Sequence, residues 1–148
     1  MDTVNPEQAQ RVWNRVHPGA SEKPAPVLES LIAGEWEASA AYLVLAKRAG
    51  GRHAATLQQL ARQSRSRWAC LQGMALLHTG KRPVHTHPQS PTGSAGEILR
   101  RCCSRAMEGI TLYDQIKSRE NTPILALLAQ EQARDCRVLL ELLGNWGD

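Results

Sequence analysis

The chain has no phenylalanine, two tyrosines and four tryptophans, and these few rings are not set among its arginines as stacking platforms. That scarcity speaks against nucleic acid as a partner. The arginines at 62, 65, 100 and 101 are interleaved with Gln and Glu and read as a solvated helix face. Also missing is any apolar run approaching the roughly 20 residues that a membrane span needs, so no membrane contact is expected. The start, "MDTVNPEQAQRVW", is acidic and then amphipathic, without the apolar core of a signal peptide, and predicts a cytoplasmic protein. The four cysteines (Cys70, Cys102, Cys103, Cys136) show no C-x-x-C spacing and fall within predicted helices, which suits reduced, packing cysteines. There is no phosphate-cradling glycine loop, zinc-finger spacing or hydrolase elbow, and no period-2 alternation that would suggest strands. The net charge of +4 permits an acidic partner without requiring one.

What is present punctuates itself as helices. Asn5-Pro6 reads as an N-cap with proline at the first helical position, opening a short helix to about Val16. "HPGASEKPAP" then forms a linker, so residues 1–25 are a short helix with its linker and residues 26–148 the main domain. The first long helix is predicted from about Pro26 to Ala49, stopping at Gly50-Gly51, and the second from about His53 to Thr79, stopping at Gly80. "GKRPVHTHPQSPTG" lacks periodicity and reads as a long loop. Ser94 with Glu97 makes a capping box for a third helix to about Arg119, and Thr122-Pro123 opens a fourth that ends at Gly144. A short, a long and a short connection predict an all-α four-helix bundle with one crossover, between the second and third helices.

The apolar spacing gives the interior. The second helix carries Leu57, Leu60, Ser64, Arg67, Leu71 and Met74, and the fourth carries Leu125, Leu128, Gln132, Asp135, Leu139 and Leu142, at the same alternating intervals of 3 and 4. The first and third match each other likewise: Leu28, Leu31, Glu35, Ala38, Tyr42 and Leu45 against Leu99, Cys102, Ala106, Gly109, Tyr113 and Ile116. The domain is therefore read as a twofold pseudo-repeat of a helix pair, with polar residues at one level of the core.

On these residues a family resemblance rests. "GEWEASAAYLVLA", with a Tyr seven residues after its Glu, followed by "LARQSRSRWACLQGMALLHTG", resembles the rubrerythrin-like branch of the ferritin-like superfamily over roughly residues 26–143. The resemblance implies a ferritin-like four-helix bundle. In that family each helix pair supplies a Glu from its first helix and a Glu-x-x-His from its second, holding two non-haem irons for oxidase or peroxidase chemistry. Carried over by register, the first Glu falls on Glu35, with Tyr42 beside it. The first Glu-x-x-His falls on Ser64 and Arg67, the second Glu on Ala106 with Tyr113 seven residues on, and the second Glu-x-x-His on Gln132 and Asp135. One family ligand of six is kept, plus a carboxylate where His is expected, and Arg67 sets a permanent cation where a metal would sit. Slipped registers would recruit Glu108 or Glu131, but Glu108 lies about 200° around the helix from Ala106.

The expectation is a ferritin-like protein with a degenerate diiron site and no cofactor, acting as a non-redox structural or interaction protein with an unknown protein partner or as a homodimer. The alternative is a non-haem iron oxidoreductase or iron-binding protein with a reduced or relocated site drawn from Glu35, Glu108, Glu131 and Asp135. A buried Arg must be paired, so Arg67 is expected to bridge Glu35 and Asp135, with Ser64, Gln132, Tyr42 and Tyr113 completing the network. The other reading has Arg67 snorkelling to the surface beside Trp68. His85 and His87 make an H-x-H pair without a companion ligand and read as loop residues. Trp36, with Trp13, Val12 and Val16, is expected in a minor core under the short helix or in a dimer surface.

Overall fold

The structure is a computed structural model that describes residues 6–7, 26–83, 89–120 and 122–147. Four helices make up the described domain: α1 (Pro26–Ala49), α2 (Gly51–Thr79), α3 (Ala95–Arg119) and α4 (Pro123–Gly144). No strand occurs among the described residues, and no described helix is long and apolar enough to cross a membrane. The short N-terminal helix with Trp13, Val12 and Val16, and the pair His85 and His87, lie outside the described residues, except that Pro6 and Glu7 are helical.

Local chemistry sets the ends. Ser94 Oγ accepts from the Glu97 amide at 3.2 Å, and Thr122 Oγ1 from the Leu125 amide at 3.3 Å, each satisfying an amide that its helix leaves unpaired. Helix α2 starts two residues earlier than the spacing suggests, at Gly51, with Gly50 (φ 69°) and Gly51 (φ 59°) both in the left-handed region at the break. It closes on Gly80 in the left-handed conformation (φ 73°), whose amide donates to the Leu76 carbonyl at 2.7 Å. Glycine is needed here twice over, since a Cβ would also stand 2.6 Å from Cβ of Pro6.

The two apolar clusters reveal the helix directions. One joins the second half of α1 and α4 (Leu45, Leu139) to the first half of α2 and α3 (Leu57, Leu99). The other joins the first half of α1 and α4 (Leu28, Leu125) to the last part of α2 and α3 (Leu71, Ile116). Helices α1 and α4 therefore run one way and α2 and α3 the other. Helix α1 packs along both α2 and α3, α3 packs along α4, and the α2–α4 edge is the most open.

Since α2 and α3 are parallel, the connection 80–94 must return along the length of the bundle. Helix α3 has 25 residues, about 37 Å at 1.5 Å each, and the extended connection reaches roughly 50 Å. Its two ends are tied down: Gln72 Nε2 donates to the Pro83 carbonyl at 3.2 Å, Arg48 Nη1 to the Gly93 carbonyl at 3.0 Å, and Arg101 Nη2 to the Thr92 carbonyl.

Candidate functional site

Between the two apolar clusters lies a layer of buried polar side chains from all four helices. Glu35 comes from α1, Ser64 and Arg67 from α2, and Gln132 and Asp135 from α4. Helix α3 adds Tyr113 and the small residues Ala106 and Gly109. The helices bring Glu35, Ser64, Arg67, Ala106, Gly109, Gln132 and Asp135 to one level because these lie within seams with apolar residues at both ends, and Tyr113 reaches the layer from one turn beyond Gly109.

Arg67 is the centre of the layer and is only 1% exposed, so it does not snorkel to the surface. Its Nε donates to Glu35 Oε2, and its Nη2 donates to Glu35 Oε1 and to Ser64 Oγ, both at 3.3 Å. Its Nη1 stands 2.8 Å from Asp135 Oδ2 across the open α2–α4 edge, a close buried ion pair. The Tyr113 hydroxyl donates to Glu35 Oε2 at 3.3 Å.

Two expected members stand apart from this network. Gln132 turns to α3, where its Nε2 donates to the Ala106 carbonyl at 3.2 Å, leaving its buried Oε1 without a hydrogen-bond partner among the described residues. Tyr42 is buried on the neighbouring level and makes no hydrogen bond to Glu35 or Arg67 among the described residues. A small cavity of about 50 Å3 lies between α1 and α3, bordered by Glu35, Tyr42, Gln132 and Tyr113.

One guanidinium faces two carboxylates, so the ionised layer carries one excess negative charge away from water. Burial raises the Glu35 carboxyl above its ordinary pKa, although Arg67 pulls it down. Asp135 is raised for the same reason, with Arg67 again opposing. Burial on its own would lower the Arg67 pKa, but Glu35 and Asp135 hold it above its ordinary value. Burial and the Glu35 charge push the Tyr113 phenol up.

A pH dependence follows. The folded chain takes up a proton at Glu35 or Asp135 at a pH where the unfolded chain does not, so these groups make stability fall as pH rises from about 4. The stabilising contribution of the bound proton is fully present below the unfolded values and is lost once the pH passes the raised folded ones. Asp135→Asn should flatten this part of the profile. Urea midpoints of both proteins from pH 4.5 to 7.5 check it, and parallel profiles would contradict the assignment.

Gly109 was legible only as one more seam position, yet it sets the Gln132 conformation. A Cβ at Gly109 would stand 2.7 Å from Gln132 Nε2, whereas one at Gly34, on α1, would meet nothing within 4 Å. Gly34→Ala is expected to stabilise by up to about 1 kcal/mol through helix propensity. The same change at Gly109 pushes the Gln132 amide off the Ala106 carbonyl and should destabilise by about 1 kcal/mol, through loss of that buried hydrogen bond. Denaturant titrations read both signs. The usable signal in the sequence was a glycine on α3 at the same core level as a glutamine on α4.

The remaining candidates are placed as follows. Glu108 is exposed and Glu131 half-buried, and the two do not join the ion pairs. Among the described residues no group of three or more His, Cys, Asp or Glu could hold a metal ion. Trp36 packs against Trp68 with ring centroids 4.7 Å apart. Arg65 lies 4.0 Å over the Trp36 ring and donates to Ser39 Oγ at 3.0 Å, while remaining exposed on the face where the sequence places it. The four cysteines are free thiols, and burial pushes Cys102 up to about 11. Compared with family models, curated proteins and solved structures, the chain matches none of them.

Proposed function

We propose that this chain is a rubrerythrin-type ferritin-like bundle that has lost its diiron chemistry and works as a non-redox structural or interaction protein. The observation that carries the reading is the Arg67 guanidinium set between Glu35 and Asp135 at the level where that family would hold two irons. The parallel α2 and α3 with their long crossover, and the helix-pair repeat, support the family assignment.

The donor set does not fit a pair of irons. Only Glu35 occupies a family ligand position with a family ligand, and both its oxygens are engaged by Arg67. Ser64 offers a neutral hydroxyl, Ala106 offers no side-chain donor, and Gln132 offers only a neutral amide oxygen, a weak ligand for iron beside a carboxylate or imidazole. A fixed cation in the same layer opposes a second and third cation electrostatically. In this reading the guanidinium takes over the job of joining the helix pairs, and no redox step is assigned to the protein.

The test is anaerobic loading of the full chain with Fe(II), followed by desalting, metal analysis and exposure to oxygen. Well under one iron per chain, and no oxo-iron absorbance on oxidation, is expected. About two irons per chain would overturn the reading in favour of an iron oxidoreductase using Glu35, Glu108, Glu131 and Asp135.

A further inference from the structure

A groove of about 620 Å3 opens along the α1–α3 seam, closed on one side by the end of the crossover. Two arginines line it, Arg101 and Arg105, four residues apart on α3 and therefore neighbours on one helix face. Opposite them stand Gln89, Ser90 and Thr92 of the crossover and Glu37 of α1.

We propose that this groove binds a small molecule bearing a phosphate or comparable doubly charged oxyanion, held between Arg101 and Arg105. The guanidinium fork matches such an oxyanion with paired, charge-assisted hydrogen bonds. The acceptors these arginines have now are modest ones. Arg101 Nη2 donates to a neutral carbonyl, that of Thr92. Arg105 Nη2 lies 3.6 Å from Glu37 Oε2, with its side chain 37% and that of Glu37 50% exposed, a solvent-screened pair of small worth.

The groove's own charges sum to one excess positive, two arginines against Glu37. Its crossover wall offers the hydroxyls of Ser90 and Thr92 and the amide of Gln89 as neutral donors. Its volume falls within the roughly 300–1,000 Å3 usual for small-molecule sites. Glu37 acts as an internal competitor, since its carboxylate stands 3.6 Å from Arg105 Nη2, on the side where the ligand would lie.

The probe is inorganic pyrophosphate, titrated into the full chain at constant ionic strength in chloride, by calorimetry and by thermal shift. Saturable binding is expected, weakened about tenfold by Arg105→Gln and by Arg101→Gln, as for loss of one charge-assisted hydrogen bond. Glu37→Gln should tighten binding. Arg62→Gln is the control, because Arg62 is exposed on α2 and among the described residues bonds only Gln59. Arg101→Gln also unties the crossover from Thr92, so Arg105→Gln and Glu37→Gln decide the matter, each with an unchanged melting temperature without probe. Non-saturable binding, an equal loss in Arg62→Gln, or a Glu37→Gln variant that binds no tighter would overturn the proposal.

Discussion

Arg67→Ala is expected to cost about 3–5 kcal/mol of folding stability, the range for breaking a buried ion pair from one side. For a domain whose total stability is of order 5–15 kcal/mol, that loss brings it close to unfolding. The size of the effect comes from what is left behind. Glu35 and Asp135, at 5% and 3% exposure, would face each other's charge without a cation, and Ser64 and Glu35 would lose three donated hydrogen bonds between them. Two neighbours on the same helix calibrate it. Arg62→Ala removes, among the described residues, only bonds to Gln59 on the surface and should stay within about 0.5 kcal/mol. Arg65→Ala loses a guanidinium over Trp36 and a bond to Ser39, and should cost roughly 1 kcal/mol. Urea titration of the three variants gives the ranking directly, and equal tolerance of all three would mean that Arg67 is not the charge that holds the layer.

Much of this layer could be read from spacing alone, because intervals of 3 and 4 fix which residues of a helix face inward. Leu57 and Leu71 are both fully buried, and Ser64 and Arg67 between them are buried too. The same register brings Glu35, Arg67 and Asp135 to one level, so the ion pairs follow from the requirement that a buried charge find a partner. Register does not say which way a side chain turns once it is there. Tyr42 and Tyr113 occupy equivalent places in the two repeats, yet only Tyr113 bonds a carboxylate. Each tyrosine is seven residues, about 10 Å, along its own helix from the acid position, so its acceptor must come from the other repeat. Exchanging the repeats pairs Tyr113 with Glu35 and Tyr42 with Ala106, which has no side-chain acceptor. The broken symmetry of the acids thus carries over to the phenols.

Gln132 shows a second limit. Its amide reaches the Ala106 carbonyl because Gly109, one turn on, leaves the room. That is a fact about a pair of helices, and neither helix pattern contains it. The groove beside Arg101 and Arg105 was hidden for a related reason. Its far wall comes from the crossover, whose path no periodicity describes, although the i, i+4 spacing of the two arginines was there to be read.

The strongest test of what the layer is for is to remove it whole. Glu35→Leu, Arg67→Met and Asp135→Leu together replace three buried charges with side chains that match the leucines above and below. Buried ion networks exchanged for packed apolar residues are commonly neutral or gain about 1–4 kcal/mol, and that is the expected result here. It is opposite in sign to Arg67→Ala although it deletes the same guanidinium. Tyr113→Phe should be included, because its hydroxyl would otherwise lose the Glu35 acceptor in a buried place and cost about 1–3 kcal/mol. Ser64 needs no change, since a helical serine can turn its hydroxyl to the carbonyl one turn back. Chemical denaturation of this quadruple variant beside wild type and Arg67→Ala decides between two physical accounts. If the variant is more stable, the charges are a cost the fold carries, and their worth lies in fixing the level at which the helix pairs meet. A variant less stable than wild type would show that Arg67, with its two carboxylates, contributes net stability that leucines in the same places do not.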